Sequence, residues 1–258
     1  MTINGNIKFF GPNKIDENST FTFTSANTNL ASSLYDRTRS TKLVSIGSTD
    51  LANEDWVIDF LAPKTFNRAY IDNHNIKSGE IQYWDGAAYQ AFSTPASWTG
   101  NAATTSYFEF NSVTSSKIRL RATTTMVANA QKYVGELAAF LEIGTIGANP
   151  VGFDPEFIDK SIANQGATGG NIFILFGTKY HATLNFTDAD ATDAALLFTL
   201  KTLGTSFYIW PCGGVGQTDH GFRLQDIFFV NFINFFSPRL VGSVYGIASM
   251  ISMEVAEV

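Results

Sequence analysis

Residues 179–211, KYHATLNFTDADATDAALLFTLKTLGTSFYIWP, decide how the chain is read. Tyr180, Ala182, Leu184 and Phe186 alternate with His181, Thr183 and Asn185, the period of two that marks a strand with one buried face. Thr187-Asp188-Ala189-Asp190 then has the composition of a helix N-cap with an acid in the first turn. The spacing predicts a helix over 191–203, ended by Gly204 in the manner of a C-terminal glycine. Residues 206–210 resume as a strand and Pro211 closes it. A single helix between strands, set among further strands, predicts an α+β or helix-bearing barrel unit.

The predicted helix is apolar on more than one side. Ala194, Leu197, Phe198 and Lys201 share one side, and Leu196, Leu200 and Leu203 lie about a third of a turn away. Two readings stay open. The helix is either deeply buried within its own domain, or it lays one face on its barrel and offers Leu196, Leu197, Leu200 and Leu203 to a neighbouring subunit.

The rest of the composition fits a chain with little solvated surface. Of 258 residues, 45% are hydrophobic and only 16% charged, against about 25% charged in an ordinary domain. The net charge is −6, with no basic cluster to neutralise phosphates, which argues against direct nucleic-acid binding. The single Cys212 excludes an intramolecular disulfide framework and a zinc–cysteine cluster. The opening MTINGNIKFF lacks the basic and apolar regions of a signal peptide, and Asn231, Asn234 and Ser237 break the longest late apolar runs. A soluble protein made in the cytoplasm, without membrane insertion, is therefore expected.

Residues 1–150 read as short strands separated by turn-rich spacers: 7–10, 20–24, 42–45, 56–61, 68–72, 80–84, 89–92, 107–111, 117–122 and 133–143. The clearest hairpin is 81–92, where Asp85-Gly86 supplies the positive φ of the turn. Tyr83, Trp84, Tyr89 and Trp98 gather around it, and one alternating set of them must face the core. A boundary is expected in GTIGANPVGF, residues 144–153. The fold expected is mainly β: a jelly-roll β-sandwich over 1–147, then a β-barrel domain with one helix over 148–258.

Residues 66–81, FNRAYIDNHNIKSGEI, run straight into the YWDG hairpin of 83–86. Residues 117–124, KIRLRATT, lead into YVGELAAFLEIG at 133–144 with its Gly135-Glu136-Leu137. Together they resemble the discoidin or coagulation-factor C-domain-like group, also called galactose-binding-like, over about residues 40–145. The order of parts, with Trp210-Pro211-Cys212-Gly213-Gly214, residues 221–227 and the closing run 242–258, resembles structural proteins of tailed bacteriophages. That second resemblance implies a virion component: a minor tail, distal-tail or baseplate protein, assembled in the host cytoplasm, with copies in a ring beside other tail proteins. The first implies a carbohydrate-binding module that attaches to host-surface glycans, the alternative function.

No enzyme chemistry is expected. Cys212 and His220, with Asp219 and Asp226 nearby, carry no local signature of a cysteine hydrolase, and a small buried Cys beside a loop His is the plainer reading. His74, His181 and His220 are scattered without metal-ligand spacing. Asp50, Asn53, Glu54 and Asp55 could hold a structural calcium, as comparable loops of the galactose-binding-like family do, or form a solvated turn. Gly166, Gly169 and Gly170 precede a strand rather than a helix and so read as a turn, not a phosphate cradle. No catalytic, cofactor or metal residue is assigned. For carbohydrate contact the expected residues are Trp98 and Tyr107, with the loop tips of the first domain.

Overall fold

The computed structural model describes residues 7–37, 40–46, 52–146, 153–159, 162–165, 171–174, 178–189, 191–203, 206–210, 227–234, 239–243 and 246–257. The chain opens on β1 (Ile7–Phe10). It continues through β2 (Thr20–Phe23), a short 3-10 helix (Thr28–Leu34), β3 (Leu43–Val44), β4 (Glu54–Asp72), β5 (Ile76–Trp84), β6 (Tyr89–Ala91), β7 (Ser97–Trp98), β8 (Ser106–Thr125), β9 (Tyr133–Val134) and β10 (Glu136–Phe140). Then follow β11 (Glu142–Ile146), β12 (Phe153–Asp159), β13 (Ile162–Gln165), β14 (Asn171–Ile174), β15 (Thr178–Ala189), α1 (Ala191–Thr202), β16 (Phe207–Trp210), β17 (Phe228–Asn234), β18 (Arg239–Ser243) and β19 (Gly246–Glu257). The protein is mainly β, with antiparallel sheets and, among the described residues, one α-helix, as expected.

The chain divides into two units, residues 12–142 and residues 1–11 with 143–258. This differs from the expected split at 147. β1 leaves the N-terminal sandwich and pairs with β16, Phe9 opposite Ile209. Its Ile7, Phe9 and Phe10 are fully buried. Alternation identifies a strand but carries no information about which distant strand it pairs with.

The described residues of the second unit form an eight-stranded sheet in the order β11-β1-β16-β17-β19-β15-β12, with β18 on β19, and a separate two-stranded sheet of β13 and β14. All four residues of β16 are buried, which suits a strand flanked on both sides. β15 runs on to Ala189, with an irregularity between Phe186 and Ala189, so Thr187 and Asp188 continue the strand instead of capping the helix. Leu197 and Leu200 of α1 are fully buried within the chain itself, while Leu196 is half-buried and Phe198 and Leu203 are exposed. Leu197 and Leu200 are therefore not available to a neighbouring subunit. Among the described side chains of the helix, the large apolar ones that are exposed are Phe198 and Leu203.

In residues 12–142 the strand order is β10-β4-β8-β5-β6, with β2 on β4 and β7 on β5. Four of the short strands expected from sequence are halves of two long ones. β4 runs unbroken through residues 62–67 and β8 through residues 112–116, and the two pair with each other. The turn signals mark bulges. The register slips between Asp59 and Lys64, where Leu61 takes a φ of 60° and Pro63 needs no ladder partner. The core is built from the alternate residues Trp56, Ile58 and Phe60 of β4 with Ile118, Leu120 and Ala122 of β8. Phe66 closes it, ringed by Phe60, Phe92 and Phe110 at centroid distances of 5.9–6.2 Å. Gly79 is required by close approach: a Cβ there would lie 2.8 Å from the Arg121 carbonyl oxygen and 2.8 Å from the Trp98 ring. Gly135 of the Gly-Glu-Leu run faces the Asn73 side chain in the same way.

Candidate functional site

The alternation that fills the core leaves a second face on the same sheet. On β4 it carries Asp55, Val57 and Asp59; on β8, Arg121, Arg119 and Lys117; on β5, Glu80, Gln82 and Trp84. Tyr89 on β6 stands opposite Trp84. Acids on β4 face bases on β8 in register, so the strands pair by charge as well as by burial. Arg121 holds Asp55 through two bonds, Nε to Oδ1 at 2.8 Å and Nη2 to Oδ2 at 2.9 Å. Arg119 reaches Asp55 at 3.4 Å and donates to the Gln82 side-chain oxygen from Nε at 2.9 Å and from Nη2. Lys117 Nζ lies 3.0 Å from Asp59, and Asp59 Oδ1 also accepts the Leu61 N–H at 2.9 Å.

The aromatic part of this face is Trp84 and Tyr89, edge to face at 5.1 Å and both half-buried. The Arg119 guanidinium sits 4.1 Å from the Tyr89 ring centre, and Lys117 Nζ is 6.0 Å from that of Trp84. The backbone beneath Trp84 is fixed. Its N–H donates to Ser115 Oγ at 3.1 Å, and the Ser115 hydroxyl lies within bonding distance of the Trp84 and Lys117 carbonyl oxygens. Beyond Trp84, Asp85 Oδ1 accepts the N–H groups of Ala87 and Ala88, both at 2.8 Å, and Gly86 takes a φ of 107°. The hairpin loop is thus four residues long, 85–88, between the Trp84–Tyr89 pair.

The protonation states follow from these bonds. The Arg121 hydrogen bond holds the Asp55 carboxyl below the ordinary range against the opposing effect of burial, and the same bond raises Arg121. For Asp59 burial acts upward, but the bonds from Lys117 and from the Leu61 N–H together outweigh it and the carboxyl is lowered. Asp59 in turn raises Lys117. All these groups are charged at neutral pH.

A second polar cluster lies at one end of the sandwich and is closed to solvent. His74 is fully buried; its Nδ1 accepts the Ile76 N–H at 3.1 Å, and its Nε2 faces Ser106 Oγ at 2.9 Å. Because Nδ1 must accept, the ring proton is on Nε2 and is donated to Ser106. The His–Ser pair therefore runs in the direction opposite to that of a general base on a nucleophile. Asp72 Oδ1 accepts from Thr105 Oγ1 at 2.7 Å. Asn75 ties the next loop by donating to the Gln131 carbonyl at 2.7 Å and accepting the Tyr133 N–H at 2.9 Å.

The two residues expected to touch carbohydrate do not form one site. Trp98 is half-buried, donates its indole N–H to the Ile76 carbonyl at 3.2 Å and packs against Phe108 at 5.1 Å. Tyr107, next along β8, points to the opposite side of the sheet and is 8% exposed. Of the hairpin aromatics, Tyr83 turns to the core against Phe92 at 5.2 Å, leaving Trp84 and Tyr89 on the outer face.

In the acidic loop, for which the sequence leaves calcium binding and a solvated turn both open, two of the carboxylates are already held by protein partners. Glu54 is buried and accepts from Ser25 N and Oγ at 2.7 and 2.8 Å, and Asp55 is held by two arginines. No group of three or more metal-binding side chains occurs among the described residues. Asp50, Gly166, Gly169, Gly170, Cys212, Asp219, His220 and Asp226 lie outside the described residues. The outer ladder was missed in the sequence, although it leaves a signal there. Asp55 and Asp59 interleave with Trp56 and Ile58, and Lys117, Arg119 and Arg121 interleave with Ile118 and Leu120, with opposite signs on two strands.

No family model and no curated protein matches the chain. Among solved structures, it is similar to chitosan-binding module 1 of a chitosanase/glucanase from Paenibacillus sp. IK-5, at 17% identity and a TM-score of 0.42, covering 50% of this chain and 98% of that one. It is similar to CpGH89CBM32-5 from Clostridium perfringens, solved with GalNAc-β-1,3-galactose, at 17% identity and a TM-score of 0.40, covering 48% and 95%. A third likeness, to a putative α-L-fucosidase of Bacteroides thetaiotaomicron, has 11% identity and a TM-score of 0.42 and covers 49% of this chain and 28% of that one. None of these three is a tail or baseplate protein. At such scores the likenesses carry no argument about ligand or activity.

Proposed function

We propose that residues 12–142 are a glycan-binding module, acting by recognition and not by catalysis, with the outer sheet face as its contact surface. The observation that carries this reading is the half-buried Trp84–Tyr89 pair. It is a rigid aromatic patch at the margin of a face otherwise built from charged and amide side chains. A pyranose ring has an apolar C–H side that stacks on an aromatic ring and hydroxyls that need donors and acceptors around it, and this face supplies both. The closed His74–Ser106 cluster offers no nucleophile, which agrees with a binding role.

The test is a sugar array on the full chain followed by Trp84→Ala. The variant is expected to bind the captured sugar at least about tenfold more weakly, equivalent to about 1.4 kcal/mol, with an unchanged circular dichroism spectrum. An array without any captured sugar, or full affinity in the variant, contradicts the proposal.

A structural role in a phage tail, with copies in a ring, is the second reading. It draws on the family resemblance and on Phe198 and Leu203, both exposed on α1. Sedimentation at several concentrations tests it: a mass that stays at one chain removes the ring.

A further inference from the structure

We infer that the outer face is selective for an uncharged hexopyranose, with Trp84 as the platform and the Lys117–Asp59 pair as the groups that take two adjacent hydroxyls; this rests on the glycan-binding reading above. The charges of the face cancel locally. Three cations, Lys117, Arg119 and Arg121, face three carboxylates, Asp55, Asp59 and Glu80, and every carboxylate has a cation within 3.8 Å. A uronate or amino sugar would bring a charge that finds no free counter-charge and must also lose water. A neutral diol suits the same pairs, because each hydroxyl both donates and accepts.

Lys117 and Asp59 are the pair placed for this. Lys117 Nζ lies 3.0 Å from Asp59 and 6.0 Å from the Trp84 ring centre, so a sugar stacked on that ring comes within reach of both. Asp59 is aimed by the Leu61 N–H, and Lys117 stands beside the bulge that Ser115 holds. A carboxylate and an ammonium held side by side accept from one hydroxyl and donate to its neighbour. Arg119 has a different task. Its donors go to Gln82 and Asp55 and its guanidinium lies over the Tyr89 ring, so it positions the aromatic edge and does not reach for ligand.

The experiment uses the full chain and four probes: lactose and cellobiose as neutral disaccharides, the glucosamine dimer as a cation and digalacturonate as an anion. Affinities are measured by calorimetry at about 0.05 M and about 0.5 M salt, conditions between which exposed charge attraction is largely screened. A neutral disaccharide is expected to bind at least about tenfold tighter than either charged one, with affinity unchanged by salt. Asp59→Asn and Lys117→Met are each expected to weaken it by about tenfold, with an unchanged near-ultraviolet circular dichroism spectrum showing that the fold is intact. A charged probe that binds best, a strong salt dependence, or full affinity in both variants overturns the selectivity while leaving glycan binding in place. Failure of all four probes, together with an empty sugar array, overturns the glycan reading itself.

Discussion

Acidification from pH 6.5 to pH 4 is expected to remove about 3 kcal/mol from the stability of the 12–142 unit through His74 alone. Burial pushes this imidazole down from its ordinary 6.5 to about 4. The gap of about 2.5, at about 1.4 kcal/mol per pH unit, sets a ceiling of about 3.5 kcal/mol, and most of it is lost by pH 4, where the folded ring is half protonated. The sign follows from which state takes the proton. Between these two values the unfolded chain binds a proton that the folded chain refuses, so acid favours unfolding. The contribution is complete above pH 6.5, falls through the window and is gone below about 4. The geometry gives the same answer independently. A proton on Nδ1 would set an N–H against the Ile76 N–H that now donates to it.

Nuclear magnetic resonance of the imidazole carbons follows the ring directly, and exchange of the Ile76 amide follows local opening. A His74→Asn variant should be less stable at pH 7, yet lose less than the parent between pH 6.5 and 4. A ring that titrates near its ordinary value, or a variant with the parent's full slope, removes the explanation.

Phe66→Ala is expected to have the largest effect on stability of any single truncation in this sandwich, about 3–5 kcal/mol. The ring is fully buried and meets three others edge-on, Phe60, Phe92 and Phe110. It also sits beside the register slip between Phe66 and Arg68, where β4 is bent around the core. Removing it empties the space at the bend, and the surrounding rings, packed on one another, cannot all move in to fill it. Urea unfolding followed by near-ultraviolet circular dichroism reads the loss. A cost under about 1 kcal/mol would show that the cluster collapses around the vacancy and that the bend does not depend on it.

Much of this protein was open to reading in one dimension. Periodicity found β1, β2, β3, β6 and β16 close to their observed bounds and placed one helix after Asp190. These are local properties: a two-residue or 3.6-residue repeat is set by where the next side chain must point. Of the candidate site, the hairpin and its four aromatics could be seen, as could the rule that only some of them face outward.

The chain order alone could not decide pairing. Residues 62–67, left between two expected strands, belong to a single strand, because the ladder with β8 resumes beyond the bulge at Leu61 and holds β4 in one piece. Likewise β1 joins β16, some 200 residues away, and Thr187-Asp188 extends β15 along β19 where its local composition suited a helix cap. Trp98 and Tyr107, chosen as exposed aromatics, are parted by the sheet between them, and Trp84 and Tyr89 are brought together across the hairpin. Sequence settled which residues want to be covered and which repeat they follow. Tertiary structure settled what covers them, since a buried ring or a backbone N–H is satisfied by whichever partner the whole fold delivers, however distant along the chain.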